Sequence, residues 1–256
     1  METIVESLED YVNYIQQLDK EFVLSRGQGE DKPLLPSVLR LDESDLRFYS
    51  KTTAGEFINE FKNNSTVYLD NSKMFDTHNE FEWIILAQHF GVPTCLLDFT
   101  YSHLVSLMFA VENAFKYSED DVNNSVVWFL NPQRLNLESI NRSTILNLSE
   151  ETKVLDSAEY PCVVTAMKNN SRVAAQNGLF VYFQQEAKAL EKLNFSDCIL
   201  KKIIIPHANA KCILASLYTM GMRFKDIYPE LTSVSKDILL KHDVMEYYRM
   251  EAEINE

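Results

Sequence analysis

Two short segments of the chain concentrate polar side chains that could bind or transform a ligand. In the first, residues 22–24 predict a short apolar strand that leads directly into Arg26, Gly27 and Gln28. An arginine at a strand end offers a rigid fork of donors suited to phosphate or carboxylate. Its neighbouring glycine allows a sharp turn or a close approach to a ligand. The alternative is an arginine paired with a surface acid, because the chain has 38 acidic residues.

The second segment, residues 88–102, carries polar side chains on both sides of a buried strand predicted at 95–97. These side chains are Gln88, His89, Asp98, Thr100, Tyr101 and Ser102. The last four precede a predicted helix, and a helix N-terminus favours anions. The alternative is a helix-capping cluster beside a buried histidine. His89 could also serve as a general base near Asp98.

Composition and charge limit the possible functions. Hydrophobic residues make up 46% of the 256 residues, which is typical of a globular protein with a real core. The net charge of −14 gives no overall attraction to nucleic acid or anionic membrane. A local basic cleft could still bind phosphate. The acidity serves solubility, or it attracts a basic partner such as an antitoxin or a chaperone.

Targeting and metal-binding signals are missing from the sequence. Residues 1–6 do not begin a signal peptide, and no apolar stretch approaches the roughly 20 residues of a membrane span. The cysteines lie far apart without a CxxC pair, so reduced thiols and no zinc site are expected. They are Cys95, Cys162, Cys198 and Cys212. A cytoplasmic protein without a metal is therefore expected. The sequence also contains no GxSxG, GxGxxG or P-loop motif.

Periodicity and turn residues predict one mixed α+β domain over residues 1–256, without internal repeats. Helices are predicted at 3–20, 41–64, 80–90, 103–117, 186–194, 208–221 and 231–249. Strands are predicted at 22–24, 95–97, 125–130, 160–164, 178–183 and 199–205. Residues 98–102 are predicted as a break, with Thr100 or Ser102 as the cap of the following helix. The predicted core includes Phe48, Phe57 and Phe61.

Four sequence blocks, in order, resemble the FRG domain, a family named for its Phe/Tyr-Arg-Gly motif. They are 25–28 with 35–37, 88–100 with 108–110, 160–162 with 172–180, and 203–206 with 217–231. Ser25 stands in place of the aromatic residue of the motif, and Cys95 in place of an arginine or another polar residue. The blocks span roughly residues 20–235. The predicted helices at 3–20 and 231–249 flank them.

A weaker resemblance, at the level of the fold, is to ADP-ribosyltransferases. It implies a split β core and NAD as the substrate. By this resemblance Arg26 holds NAD, the 98–102 turn contacts nicotinamide with Tyr101 stacking on it, and Gln176 or Glu186 contacts the nicotinamide ribose. Further cofactor contacts are expected from Gly27, Gln28, His89, Asp98, Thr100, Ser102 and Arg172. Arg172 binds the second phosphate or ties down a loop.

Three functions are compatible with these residues. The first is an NAD-consuming enzyme that transfers ADP-ribose to nucleic acid or protein, and the resemblance suits a bacterial toxin or phage-defence effector. A nucleic-acid acceptor would need a basic rim formed by Arg40, Arg47 and Lys51. The second is a module that binds a nucleotide or acidic ligand without turnover. The third is a metal-dependent nuclease or hydrolase that uses His89 and Asp98.

Overall fold

Within the part of the chain that the structure describes, eight strands form the sheet on which the candidate site is built. In chain order they are β1 (Thr3–Ile4), β2 (Leu24–Gln28), β3 (Leu96–Thr100), β4 (Ser125–Leu130), β5 (Leu146–Asn147), β6 (Cys162–Thr165), β7 (Gly178–Tyr182) and β8 (Leu200–Ile205). The computed structural model describes residues 3–68, 79–116, 123–148, 152–165 and 178–254. The strand order is β1-β8-β4-β2-β3-β7-β6-β5. The β1–β8 and β5–β6 pairs are parallel and the others antiparallel.

Helices pack on both faces of this sheet and complete the expected α+β fold. They are α1 (Leu8–Gln17), α2 (Lys51–Ser65), α3 (Glu80–His89), α4 (His103–Val111), α5 (Pro132–Ile140), α6 (Thr152–Ser157), α7 (Ser196–Ile199), α8 (His207–Thr219), α9 (Phe224–Ile227) and α10 (Leu231–Ile254). Within the described ranges, no helix has the length and apolar character needed to cross a membrane.

The sheet forks at its centre, between β2 and β3. β2 pairs with β4 over five residue pairs, and β3 pairs with β7 over five. By contrast, β2 and β3 are in register at one pair, Ser25 opposite Thr100. Both strands are fully described, so the ladder between them ends at this pair. The sheet therefore consists of two halves that meet at Ser25 and Thr100.

Side-chain alternation along the strands distributes the core among three clusters. One face of β4 and β8 packs against α1, α4, α8 and α10, around Phe129. The opposite face holds a second cluster, which includes Phe99 and Trp128 and crosses both halves of the sheet. The third cluster joins α3 and α6 to β6 and β7, with Ile85 and Phe180 in contact. The same strands contribute to several clusters, which ties the two halves together.

Helix α4 packs directly on the backbone of β2 at Gly27. A Cβ at Gly27 would lie 1.8 Å from the Ser106 carbonyl oxygen and 2.8 Å from the Ala110 nitrogen. Both atoms are backbone atoms, so no side-chain movement could relieve the clash. The sequence predicted a glycine that permits a turn or approaches a ligand. The structure shows a strand glycine whose missing side chain lets α4 contact the sheet.

Two strand predictions near the site were too short. The strand predicted at 22–24 begins at Leu24 and continues through Gln28. The strand predicted at 95–97 runs from Leu96 through Thr100, so the predicted break at 98–102 was wrong in its first half. Backbone pairing with β4 and β7 extends both strands through their polar residues. Arg26 and Asp98 are consequently strand residues.

The flanking helices also differ from their predicted ranges. The helix predicted at 3–20 covers only Leu8–Gln17, because Thr3–Ile4 pairs with β8 and Ser7 caps the helix. The helix predicted at 231–249 extends to Ile254. The prediction at 41–64 began too early, since α2 starts after Ser50, its N-cap. Phe48 precedes it and is 65% exposed, contrary to its predicted place in the core.

The contact at Gly27 predicts a large difference between two glycine substitutions. Gly27→Ala should destabilise the protein by about 3 kcal/mol or more, because a methyl group would overlap the backbone of α4. Gly55→Ala is the matched control. It lies within α2 with no atom within 4 Å of its Cβ position, so it should stabilise by about 0.5–1 kcal/mol. Urea unfolding measures both changes. Equal unfolding midpoints for the two variants would contradict the packing described.

Candidate functional site

A cleft of about 450 Å³ lies at the fork between β2 and β3. Its walls are residues of β2, β3 and β7, together with α3, α4, the loop at 29–32, Arg40 and Tyr228. Residues from both faces of the sheet line it, including Phe99 and its neighbour Asp98. Ligand sites for small molecules typically have volumes of about 300–1,000 Å³. The fork therefore forms a space of suitable size within the sheet itself.

Arg26 spans the fork where the backbone ladder has ended. Its Nη1 donates to the Asp98 carbonyl oxygen at 2.9 Å and lies 3.8 Å from Asp98 Oδ2. Its Nε is buried and has no hydrogen-bond partner within the described ranges. Burial lowers the pKa of the guanidinium, the Asp98 carboxylate raises it, and the positive charge of Arg40 lowers it further. The Arg26 guanidinium thus faces one carboxylate, that of Asp98, and a second cation, that of Arg40.

Gln88 of α3 holds Asp98 in place. Its Nε2 donates to Asp98 Oδ1, while its Oε1 accepts a hydrogen bond from Thr94 Oγ1 at 2.6 Å. The amide orientation is consistent with both bonds, one donated and one accepted. His89 follows on the same helix and lines the cleft, with its ring in edge contact with Phe90 at 5.0 Å. Helix α3 therefore positions the acid that partners Arg26.

Basic groups from two further segments enter the cleft beside Arg26. They are Arg40, which follows a short 3₁₀ turn, and Lys32 in the loop after β2. Gln28 Nε2 donates to the Lys32 carbonyl oxygen at 3.1 Å, which fixes this loop to the strand end. Lys32 also pairs with Glu30 at 2.7 Å. Three cations from separate segments make this side of the cleft favourable for an anion.

The other side of the cleft is formed by the C-terminal half of α4 and by Tyr228. Phe109, Glu112 and Asn113 line it. Tyr228 Oη donates to Glu112 Oε2 at 3.3 Å, and the Phe109 and Tyr228 rings lie 5.6 Å apart between centroids. None of these residues was predicted from the sequence to belong to the site. One signal in the sequence could have drawn attention to Glu112: it is the first charged residue after the uncharged stretch 104–111.

Ser25 secures α4 to β2 beneath the cleft. Its Oγ lies 2.8 Å from His103 Nδ1 and 2.8 Å from Ser106 Oγ. The His103 carbonyl oxygen in turn accepts from Tyr11 Oη at 2.7 Å. Burial lowers the pKa of His103, which favours the neutral imidazole in this network. A large side chain at position 25 would have to displace these buried polar groups.

The described residues show no metal cluster, and burial affects two of the four thiols. No group of three or more His, Cys, Asp or Glu side chains in the described ranges could hold a metal ion. All four cysteines are free. Burial raises the pKa of Cys95 to about 12 and that of Cys162 to about 12, so both thiols stay protonated at neutral pH.

Comparison with known families locates the site within a recognised domain. Residues 21–119 match the family model of the FRG domain. The chain carries an FRG domain. The matched FRG stretch contains β2, α3, β3 and α4, and with them Arg26, Arg40, Asp98 and Glu112. Gly178 and Tyr228 reach the cleft from outside it. Searches of curated proteins and of solved structures found no match.

Six of the residues predicted from the sequence to contact NAD line the cleft. They are Arg26, Gly27, Gln28, His89, Asp98 and Thr100. Ser102 instead caps α4, accepting from the Val105 nitrogen at 3.4 Å, as one of the two predicted caps. Tyr101 follows the end of β3, is 40% exposed and does not line the cleft.

The remaining selected residues lie elsewhere or outside the described ranges. Glu186 is 70% exposed at its side chain, with its carboxylate 3.9 Å from Arg47 Nη2, and it does not line the cleft. Arg172 and Gln176 lie outside the described residues. The choice between Gln176 and Glu186 as the ribose contact therefore stays a prediction.

The half-buried His103 predicts how stability depends on pH. Because its pKa is lowered in the folded protein, the unfolded chain binds the proton more tightly. Its contribution to stability is complete above the ordinary histidine pKa of about 6.5 and is lost as the pH falls below it. Urea unfolding between pH 7.5 and 5 should therefore show a steeper loss for wild type than for His103→Gln. The exposed His242 provides the control, since His242→Gln should follow wild type. Identical pH dependence for wild type and His103→Gln would contradict this assignment.

Proposed function

We propose that this FRG domain binds NAD in the cleft and cleaves its nicotinamide–ribose bond, transferring ADP-ribose to a macromolecule. The observation that carries the proposal is the pair of guanidinium groups, Arg26 and Arg40, that line one cleft at the fork. Arg26 is largely buried and Arg40 is exposed, and their like charges disfavour each other unless an anion lies between them. The diphosphate of NAD is such an anion, and guanidinium groups suit its geometry.

The forked sheet supports the same proposal. A split β core is what the resemblance to ADP-ribosyltransferases implies, and here the halves separate after the Ser25–Thr100 pair. Arg26 lies at the start of that separation, which matches the role that the resemblance gives to an arginine on the first core strand. The split leaves room for a dinucleotide between β2 and β3, and each of these strands is held in place by its pairing with β4 or β7. Rigid elements position reacting groups more accurately than loops do.

The reaction requires charge stabilisation more than it requires covalent participation by the protein. The bond between ribose C1′ and the nicotinamide nitrogen breaks, and its electron pair leaves with nicotinamide. Positive charge develops on the ribose, and a nucleophile from the acceptor bonds to C1′ and loses its proton. Fixed dipoles and carboxylates near C1′ lower this barrier. Asp98, held by Gln88 and Arg26, is one such carboxylate in the cleft.

The acceptor and the biological role belong to the proposal. A protein acceptor accords with the net charge of −14, whereas nucleic acid must approach through a local basic rim. Arg40 at the cleft and the nearby Arg47 begin such a rim. Attack on a macromolecule suits a toxin or phage-defence effector, and a basic antitoxin or chaperone would suit the acidic surface.

A second candidate is a module that binds a nucleotide without turnover. The observation that favours it is the position of Glu186, a carboxylate that the resemblance offered for the ribose. It pairs with Arg47 instead of lining the cleft. Anion binding by Arg26 and Arg40 is common to both candidates, so only a measurement of turnover separates them.

Nicotinamide release from NAD tests the proposal. Wild type should release nicotinamide, and Arg26→Ala and Arg40→Ala should each lower the rate roughly 10- to 100-fold, because each removes a charged donor to phosphate. Arg134→Ala is the matched control, because Arg134 is exposed and pairs with Glu138 along α5. Total RNA, DNA and protein, added separately, identify the acceptor class by the acceleration that each causes.

The outcomes distinguish the two candidates. Release by wild type that is retained in Arg134→Ala and lost in Arg26→Ala supports the transferase. An increase in Tm on adding NAD, without nicotinamide release, supports the binding module. A folded protein that neither releases nicotinamide with any acceptor nor gains stability from NAD would overturn both.

A further inference from the structure

We infer that Glu112 accepts hydrogen bonds from the adenosine ribose of the bound dinucleotide and thereby selects NAD over NADP. The inference rests on the proposed binding of a dinucleotide in this cleft. It assigns the side formed by Phe109, Glu112, Asn113 and Tyr228 to the adenosine, with the diphosphate at Arg26. The nicotinamide then lies across the fork, toward β3 and α3.

Backbone packing fixes the end of α4, and with it Glu112, relative to β2. Helix α4 contacts β2 at Gly27, the residue next to Arg26, with the Ala110 nitrogen 2.8 Å from the Gly27 Cβ position. Glu112 follows Ala110 by two residues, which is about 3 Å along a helix axis. The Glu112 backbone is therefore held within one helical turn of the strand that carries Arg26. The Arg26 side chain leaves β2 on the face opposite to α4, but both Arg26 and Glu112 line the cleft at the fork, so a ribose and its adjoining phosphate could reach both.

The position of Glu112 at the end of α4 does not favour the stability of that helix, and it leaves a carboxylate on the cleft wall. It stands at the C-terminal end of α4, where the helix dipole disfavours a negative charge. Its hydrogen bond from Tyr228 Oη, at 3.3 Å, is long for an O–H donor and comes from a neutral group. A carboxylate has several acceptor sites, so Glu112 can bind a ribose hydroxyl while it keeps this bond.

The aromatic pair beside Glu112 suits a nucleobase. Phe109 and Tyr228 are both half-buried, and their ring centroids lie 5.6 Å apart in a tilted arrangement. Aromatic side chains bind nucleobases by stacking, and they do so with any base because every base has a π-face. Tyr228 would thus have two roles, one through its ring and one through its hydroxyl on Glu112. Asn113 adds an amide that can donate and accept at the edge of this side.

Selection follows from the charge of Glu112. A carboxylate on the ribose 2′-hydroxyl is the arrangement that accepts NAD, whereas a 2′-phosphate requires a cation at that place. In NADP the phosphate would bring negative charge directly against Glu112 and would remove the donated hydroxyl proton. NADP should therefore bind more weakly through a repulsion and a lost hydrogen bond at the same atom.

Calorimetric binding of ADP-ribose and ADP-ribose 2′-phosphate tests the inference without turnover. Wild type should bind ADP-ribose on the order of tenfold more tightly than its 2′-phosphate. Glu112→Gln keeps the size of the side chain and removes its charge, so the ratio should fall to within about threefold. Glu246→Gln is the control, since it removes an exposed carboxylate that pairs with Arg249 on α10 and does not line the cleft, and it should keep the wild-type ratio.

The result separates this inference from the proposed function. Equal wild-type affinities for the two ligands, or a ratio unchanged in Glu112→Gln, would overturn the role of Glu112 and leave the dinucleotide site standing. A ratio lost equally in Glu246→Gln would also overturn it, because the loss of any one negative charge would then suffice. Binding of neither ligand by wild type would overturn both the inference and the proposed function.

Discussion

The site depends on one contact, in which the backbone of α4 rests on the backbone of β2 at Gly27 without a side chain between them. This contact is reinforced from beneath by Ser25, which bonds to His103 and Ser106 of the same helix. Because side chains alternate along a strand, the residue between Ser25 and Gly27 must leave β2 on the opposite face. The helix therefore fixes the position of Arg26 without touching its guanidinium.

The fork gives this arrangement its chemical character. A continuous ladder between β2 and β3 would have buried their backbone groups against one another, but pairing ends at Ser25 and Thr100. The Asp98 carbonyl oxygen accepts from the Arg26 guanidinium instead. A largely buried charge is costly unless it is paired and hydrogen-bonded. The negative charge of Asp98 offsets part of that cost and the positive charge of Arg40 adds to it. An anionic ligand between the two guanidinium groups would offset the remainder.

Local signals allowed part of this architecture to be predicted from the sequence. Helix α3 ends near Gly91, which adopts a φ of +84°, and Ser102 caps α4. Both features could be predicted because they depend on neighbouring residues. The extension of β2 through Arg26 could not be predicted in this way, since its partner is β4, about a hundred residues later. Glu112 and Tyr228 meet only through the fold, so their pairing had no signal in the sequence. The site residues that were found belong to the two polar segments, whereas those that were missed come from apolar helices and distant loops.

A crystal structure of the protein with ADP-ribose would show directly whether the fork binds a diphosphate. We expect the diphosphate at the fork, within hydrogen-bond distance of the guanidinium groups of Arg26 and Arg40. Strands β2 and β3 should remain separated beyond Ser25 and Thr100. A ligand bound away from the fork, or a diphosphate that contacts neither guanidinium group, would contradict this expectation.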